Sequence, residues 1–102
     1  MVLFKAEKDK LTAYLSGDID HHMASELRRL IDDEMQKHMP AELKLDFSSV
    51  RFMDSSGVGL VMGRYKAAVV YGCRVTVAAM PPKIEKIMRM SALSDIITFE
   101  KD

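Results

Sequence analysis

Hydrophobic residues recur along this chain with two periods, and the period changes several times. Near the N-terminus, residues 1–6 and 11–15 read as strands separated by Glu7-Lys8-Asp9-Lys10. That arrangement predicts an antiparallel hairpin with an exposed turn. Ser16-Gly17-Asp18 supplies turn residues that end the second strand. Residues 20–38 are predicted to begin as a loop and become a helix. Met23, Leu27, Leu30, Ile31 and Met35 form one apolar stripe, with Glu26, Arg28, Arg29, Asp32, Asp33 and Lys37 mostly opposite. Pro40 stops this helix.

Leu43, Leu45 and Phe47 return to period two and predict a strand, followed by a polar break at Ser48-Ser49. Val58, Val61, Met62, Tyr65 and Val69 then recur at helical spacing, predicting a helix over residues 55–70 with Gly72 as its C-terminal cap. Residues 74–79 are β-rich and mostly apolar, as a buried central strand is. Pro81-Pro82 opens a third helix whose buried face is Ile84, Ile87, Met88 and Leu93, and residues 96–99 form a last strand. The element order is β-β-α-β-α-β-α-β. It predicts an α/β fold, a mixed β-sheet with helices packed mainly on one face. The strand–helix–strand unit over residues 43–80 predicts a parallel pair with a right-handed crossover.

Composition narrows the function classes. A chain of 102 residues with 48% hydrophobic and 29% charged residues reads as one globular domain, residues 1–102. Lys plus Arg and Asp plus Glu are balanced at 15 each, so no global field draws the chain to nucleic acid or to an anionic membrane. No apolar run approaches the roughly 18 residues of a membrane span, and no signal-peptide pattern opens the chain. A cytoplasmic location follows as the expectation. The one cysteine, Cys73, excludes an internal disulfide and a cysteine-based metal cluster, and reads as structural. The nine methionines are read mainly as core.

The richest chemistry lies at the predicted strand-to-helix junction, Asp54-Ser55-Ser56-Gly57. A helix start leaves backbone N–H groups unpaired, and Asp54 is suited to cap them. The same N–H groups and the positive end of the helix dipole favour an anion. A phosphate on Ser55, carrying a charge of roughly −1.5 to −2, is tolerated by its own helix and opposes a partner docked there. Gly57 and Gly59 allow close approach to the first turn. On local chemistry alone, these serines read as ordinary helix-start residues.

Resemblance shifts that balance. Leu45-Asp46-Phe47, Phe52-Met53-Asp54-Ser55-Ser56-Gly57-Val58-Gly59 and Gly63-Arg64-Tyr65-Lys66 resemble the signature of STAS domains, and among these the bacterial anti-sigma factor antagonists. Gly17-Asp18-Ile19-Asp20-His21-His22 is similar to a second signature found in sporulation members of that family. The resemblance implies a single STAS domain that binds an anti-sigma factor and releases a sigma factor. It implies that the anti-sigma factor is also a serine kinase that phosphorylates Ser55, and that a serine phosphatase resets it. Asp20, Asp54, Ser56, Gly57 and Gly59 are the implied partner-binding residues. The sporulation sigma F pathway is favoured over the general-stress pathway, with a scaffold that is never phosphorylated as a further alternative. The resemblance implies no cofactor, no catalytic residue and a monomer when free. STAS domains commonly carry a further helix after the last strand; here the sequence stops at Asp102.

Other chemistries fit less well. Asp18, Asp20, His21 and His22 are metal-capable, yet adjacent histidines rarely converge on one ion, and the only other histidine is His38. A polar loop capping the first helix is the simpler reading, and no metal is assigned. A serine hydrolase or nucleotidase using Ser55 lacks the Gly-x-Ser-x-Gly elbow. Gly57, Gly59 and Gly63 do not have dinucleotide-fingerprint spacing. Arg64 and Lys66 are placed on the polar side of the second helix, solvated or facing an acidic partner.

Overall fold

Leu11, Leu15, Leu43, Leu45, Phe47, Val75 and Val77 are all buried, and their strands align them on one face of a sheet. The computed structural model describes residues 1–100. It contains β1 (Val2–Glu7), β2 (Lys10–Ile19), α1 (His21–His38), β3 (Glu42–Met53), α2 (Ser55–Val69), β4 (Arg74–Ala78), α3 (Pro82–Met90) and β5 (Thr98–Glu100). A single 3-10 turn, Leu93–Asp95, precedes β5. The strands lie in the order β1-β2-β3-β4-β5. The β1–β2 pair is antiparallel and the other three pairs are parallel. The predicted order and mixed sheet are therefore present.

Helices α1 and α3 follow from their apolar stripes, whereas the buried face of α2 is turned from the expected one and shares only Val61 with it. Leu27, Ile31 and Met35 of α1, Leu60, Val61 and Ala68 of α2, and Ile84 and Met88 of α3 join the sheet residues in one core. Burial of each large side chain stabilises by about 1.5–3 kcal/mol before conformational entropy is subtracted. The opposite face of the sheet is polar and paired with itself. Arg74 Nη2 lies 3.3 Å from Glu42 Oε1, and Thr76 Oγ1 donates to Glu42 Oε2 at 3.0 Å. Lys44 Nζ donates to Glu100 Oε1, a bond that raises the Lys44 pKa.

Two strands run further than their polar residues predict. Ser16-Gly17-Asp18 does not end β2, and Ser48-Ser49 does not break β3. Both stretches instead pair with each other through register shifts between Tyr14 and Ser16 and between Gly17 and Asp18. Asp46 Oδ1 accepts from the Ser48 backbone N–H at 2.9 Å and from its hydroxyl at 2.6 Å. Gly17 has φ +85°, a value strained for other residues. These residues build a bulge in a bent parallel pair rather than an end. Smaller differences follow the same logic. Val69 is 56% exposed, Leu93 sits in the 3-10 turn rather than in α3, and Ile96 precedes the last strand and is exposed.

Cys73 is buried at the entry to β4, and that burial raises its thiol pKa. Less thiolate and less access both slow its chemistry. Cys73 is expected to react with a disulfide reagent at neutral pH slower in the native protein than in guanidinium by roughly tenfold or more. Equal rates would show that this end of the sheet opens freely.

Candidate functional site at two adjacent helix starts

The parallel pairing of β2 with β3 ends in register, Asp18 opposite Phe52 and Ile19 opposite Met53. The next residue of each strand is an aspartate, and each aspartate caps a helix. Asp20 Oδ1 accepts from the Met23 N–H at 2.8 Å, and Asp54 Oδ1 accepts from the Ser56 N–H at 2.8 Å. Both caps are in extended backbone, at φ −98° and ψ −175° for Asp20 and φ −98° and ψ −170° for Asp54. The Asp54 N–H donates to Ile19 O at 3.3 Å and ties the two junctions together. Two helix N-termini, with the positive ends of their dipoles, thus open side by side at the C-terminal ends of two neighbouring interior strands. No loop precedes α1: it starts at His21, directly after the strand and its cap.

Ser55 is the first residue of α2 and is exposed; no hydrogen bond holds its hydroxyl among the described residues. Beside it runs an apolar groove of about 340 Å³ lined by Asp54, Ser55, Val58, Ile87, Met90 and Ser91. Met90 is 78% exposed, and Phe52 at the end of β3 is 54% exposed. Ser56 faces the other way. It is half-buried in a groove of about 330 Å³ between α1 and α2, with His21, Ala24, Ser25, Arg28, Gly59 and Leu60. The two hydroxyls therefore stand in different surroundings. Ile87 and Met90 escaped the sequence reading as site residues, because nothing in the α3 pattern shows that its last turn meets the start of α2.

The two glycines also differ. Gly57 is buried, and a Cβ built on it would overlap the Met53 side chain. The expectation that Gly57 meets a partner therefore gives way to a packing role: its bare backbone lets α2 settle onto Met53. Gly59 is exposed with open space around it, so it remains available to a partner.

Arg64 is the largest departure from the sequence reading. It is not on a solvated face but 4% exposed, with Nε 3.0 Å from Asp32 Oδ1 of α1. The contact is close without being aligned as a hydrogen bond, and Arg64 Nη1 has no partner either. Burial pushes the guanidinium pKa down, Asp32 raises it and Arg28 lowers it. Lys66 is exposed as expected. His21 and His22 are exposed on the first turn of α1, and consecutive helical residues diverge by about 100°. No group of three or more metal-capable side chains converges among the described residues. His21 lines the groove of Ser56, not that of Ser55, so the histidine base of a hydrolase triad is not set beside the Ser55 hydroxyl.

The family model described as Mlab, STAS domain, matches residues 3–98. The chain belongs to the STAS domain family. An anti-sigma F factor antagonist of Paenibacillus polymyxa is 33% identical over 87 residues, covering 85% of this chain and 74% of the relative. The solved structure of the anti-sigma factor antagonist SpoIIAA in its unphosphorylated form superposes with a TM-score of 0.84 at 25% identity, covering 98% of this chain and 88% of that one. The Bacillus cell fate determinant SpoIIAA in its phosphorylated form superposes with a TM-score of 0.75 at 25% identity, covering 98% and 91%. This STAS domain thus sits among the anti-sigma factor antagonists, a regulatory and non-enzymatic group. Among the described residues no helix is long and apolar enough to cross a membrane.

The glycine geometry of this STAS domain predicts opposite responses. Gly57→Ala is expected to destabilise by about 1–3 kcal/mol through overpacking against Met53. Met53→Ala is expected to relieve part of that loss in a double-mutant cycle. Gly59→Ala is expected to be neutral or stabilising by up to about 1 kcal/mol, because helical propensity rises and nothing is displaced. Urea denaturation of the four variants measures all of these; equal losses at both glycines would contradict the packing assignment.

Proposed function

We propose that this STAS domain is an anti-sigma factor antagonist that switches partners by phosphorylation of Ser55. The unphosphorylated form binds an anti-sigma factor that is also a serine kinase, and so releases the sigma factor held by it. The observation that carries this reading is the placing of an exposed Ser55 hydroxyl at a helix N-terminus on the rim of an apolar groove. The names of its relatives, and the existence of SpoIIAA in both unphosphorylated and phosphorylated forms, support it. Sigma F is the favoured sigma factor, because the relative at 33% identity is an anti-sigma F factor antagonist. A phosphatase restores the serine, and the protein acts in the cytoplasm as a monomer when free.

The physics of the site explains the switch. A partner that fills the groove of Val58, Ile87 and Met90 must strip water from the surface around Ser55. A hydroxyl tolerates that loss. A phosphate of roughly −1.5 to −2 charge does not. Within its own fold the same phosphate faces the N–H groups and dipole of α2, which favour it by about 0.3–2 kcal/mol. The modification is therefore mild for folding and costly for docking. Asp20, Asp54, Ser56 and Gly59 frame the docking surface in this proposal. The kinase supplies ATP, metal and catalytic groups.

Intact-mass spectrometry after incubation with a sporulation-type anti-sigma kinase and ATP tests the site. One phosphate on wild type and none on Ser55→Ala is expected. Ser55→Asp is expected to unfold at a denaturant concentration close to wild type, yet to bind the kinase more weakly by tenfold or more, about 1.4 kcal/mol. Wild-type affinity in Ser55→Asp would refute the charge switch. An unmodified wild type that still binds the kinase would identify a scaffold that is never phosphorylated.

A further inference from the structure

Helix α1 packs on α2 along two ridges of i, i+4 spacing. Ala24 and Arg28 of α1 line one groove with Ser56 and Leu60 of α2, and one turn further on Asp32 meets Arg64. The residues lining the Ser56 groove include no acidic side chain, so Arg28 finds no opposite charge there and these rungs do not fix the alignment by charge. The Asp32–Arg64 rung differs. Arg64 is 4% exposed, and Asp32 lies against it at 3.0 Å. Arg64 Nη1 is buried and has no partner, so this nitrogen finds no other acceptor among the described residues.

The neighbours of Asp32 on its own ridge make the rung selective. One turn towards the N-terminus stands Arg28, and one turn towards the C-terminus stands Gln36. Displacing α1 along α2 in one direction sets a buried cation against another cation; in the other it leaves the cation facing a neutral amide. Among these displacements only the observed alignment matches opposite charges, and fixing alignment is the best-attested use of an ion pair with a buried member; here Arg64 is buried and Asp32 half-buried. Asp32 and Arg64 each lie about three turns below their own helix caps, Asp20 and Asp54.

We propose that Asp32 and Arg64 are positioning residues. Their pairing adds a second tie, about three turns from the Asp54–Ile19 hydrogen bond, that keeps α1 from swinging against α2, so that a partner meets one rigid surface formed by two helix starts. The proposal rests on the partner-switch reading for its consequence in binding, but its structural part stands by itself.

The test replaces both charges by apolar residues of similar size, Asp32→Leu with Arg64→Met. Such replacement is generally neutral or stabilising, so the fold is expected to survive. Spin labels at positions 22 and 66, in a Cys73→Ala background, report the placing of α1 on α2 without any partner. The wild-type pair is expected to give one narrow distance distribution and the double variant a broader one. With the cognate kinase, the double variant is expected to show KM raised by roughly threefold to tenfold, with kcat within about twofold of wild type. An equally narrow distribution in the double variant overturns the proposal, as does a broad one with unchanged KM. Should the double variant lose its fold, Arg64→Met alone carries the same readouts, because it leaves unpaired only Asp32, which solvent reaches. If wild type is not a kinase substrate, the partner-switch reading fails, while the spin-label comparison still decides the structural part.

Discussion

Strands β2 and β3 end together, and most of the site depends on that. They are parallel neighbours, so their C-terminal ends point the same way, and their last paired residues are Ile19 and Met53. A parallel pair with matched ends must send both chains off the sheet at the same level. Each chain then turns at an aspartate and starts a helix without an intervening loop. Asp20 and Asp54 satisfy N–H groups that would otherwise be orphaned, each contributing about 0.5–2 kcal/mol. The consequence is geometric as much as energetic: residues 34 apart in sequence form one surface, and Ser55 stands at its edge.

Helix α2 is an unusual element to carry such a surface. It contains Gly57, Gly59 and Gly63, each about 0.8–1 kcal/mol less favourable than alanine in a helix interior. Its stability therefore comes from packing rather than from propensity. Gly57 has a local reason, since the Met53 side chain occupies the space a Cβ would take. Gly59 and Gly63 have no such reason within the fold, because a Cβ at either would meet nothing within 4 Å. The fold sets no steric demand for glycine at these two places. Burying Arg64 in the same helix adds to its reliance on α1, because an unpaired buried donor costs roughly 1–3 kcal/mol and a charged one more.

What could be read from the chain follows the physics of each signal. Helix caps are local: the carboxylate of Asp54 bonds a backbone N–H two residues on, and that relation is visible in four consecutive letters. Alternating strands and amphipathic stripes are nearly as local, so the order and type of the main elements were legible, as was the segment around Ser55. The polar stretches at residues 16–18 and 48–49 were misread because Ser, Gly and Asp serve turns and bulges alike. Which one they form depends on whether a partner strand runs alongside. Arg64 was misread for a related reason. Its charge suggested a solvated face, although its spacing from Leu60, Val61 and Ala68 sets it on the buried side of α2, where Asp32 of another helix meets it. Ile87 and Met90 reach the Ser55 groove only through the packing of α3 against α2.

The two grooves flanking the start of α2 divide its chemistry. On one side Ser56 lies half-buried in an open groove against α1, beside Arg28 and His21. On the other side Ser55 is exposed above Val58, Ile87 and Met90. The first residue is half-covered by the protein's own helices and the second is exposed. An apolar groove gives affinity through area removed from water, and it gives that affinity only while its rim is cheap to desolvate. Ser55 is part of that rim. Under the proposed phosphorylation, a single charge placed there raises the cost of desolvating the whole groove. The two neighbouring helix termini keep that charge compatible with the folded state. In the proposed switch, control over docking is separated from control over folding, and the separation arises because the two aspartate caps and the serine share one end of one strand pair.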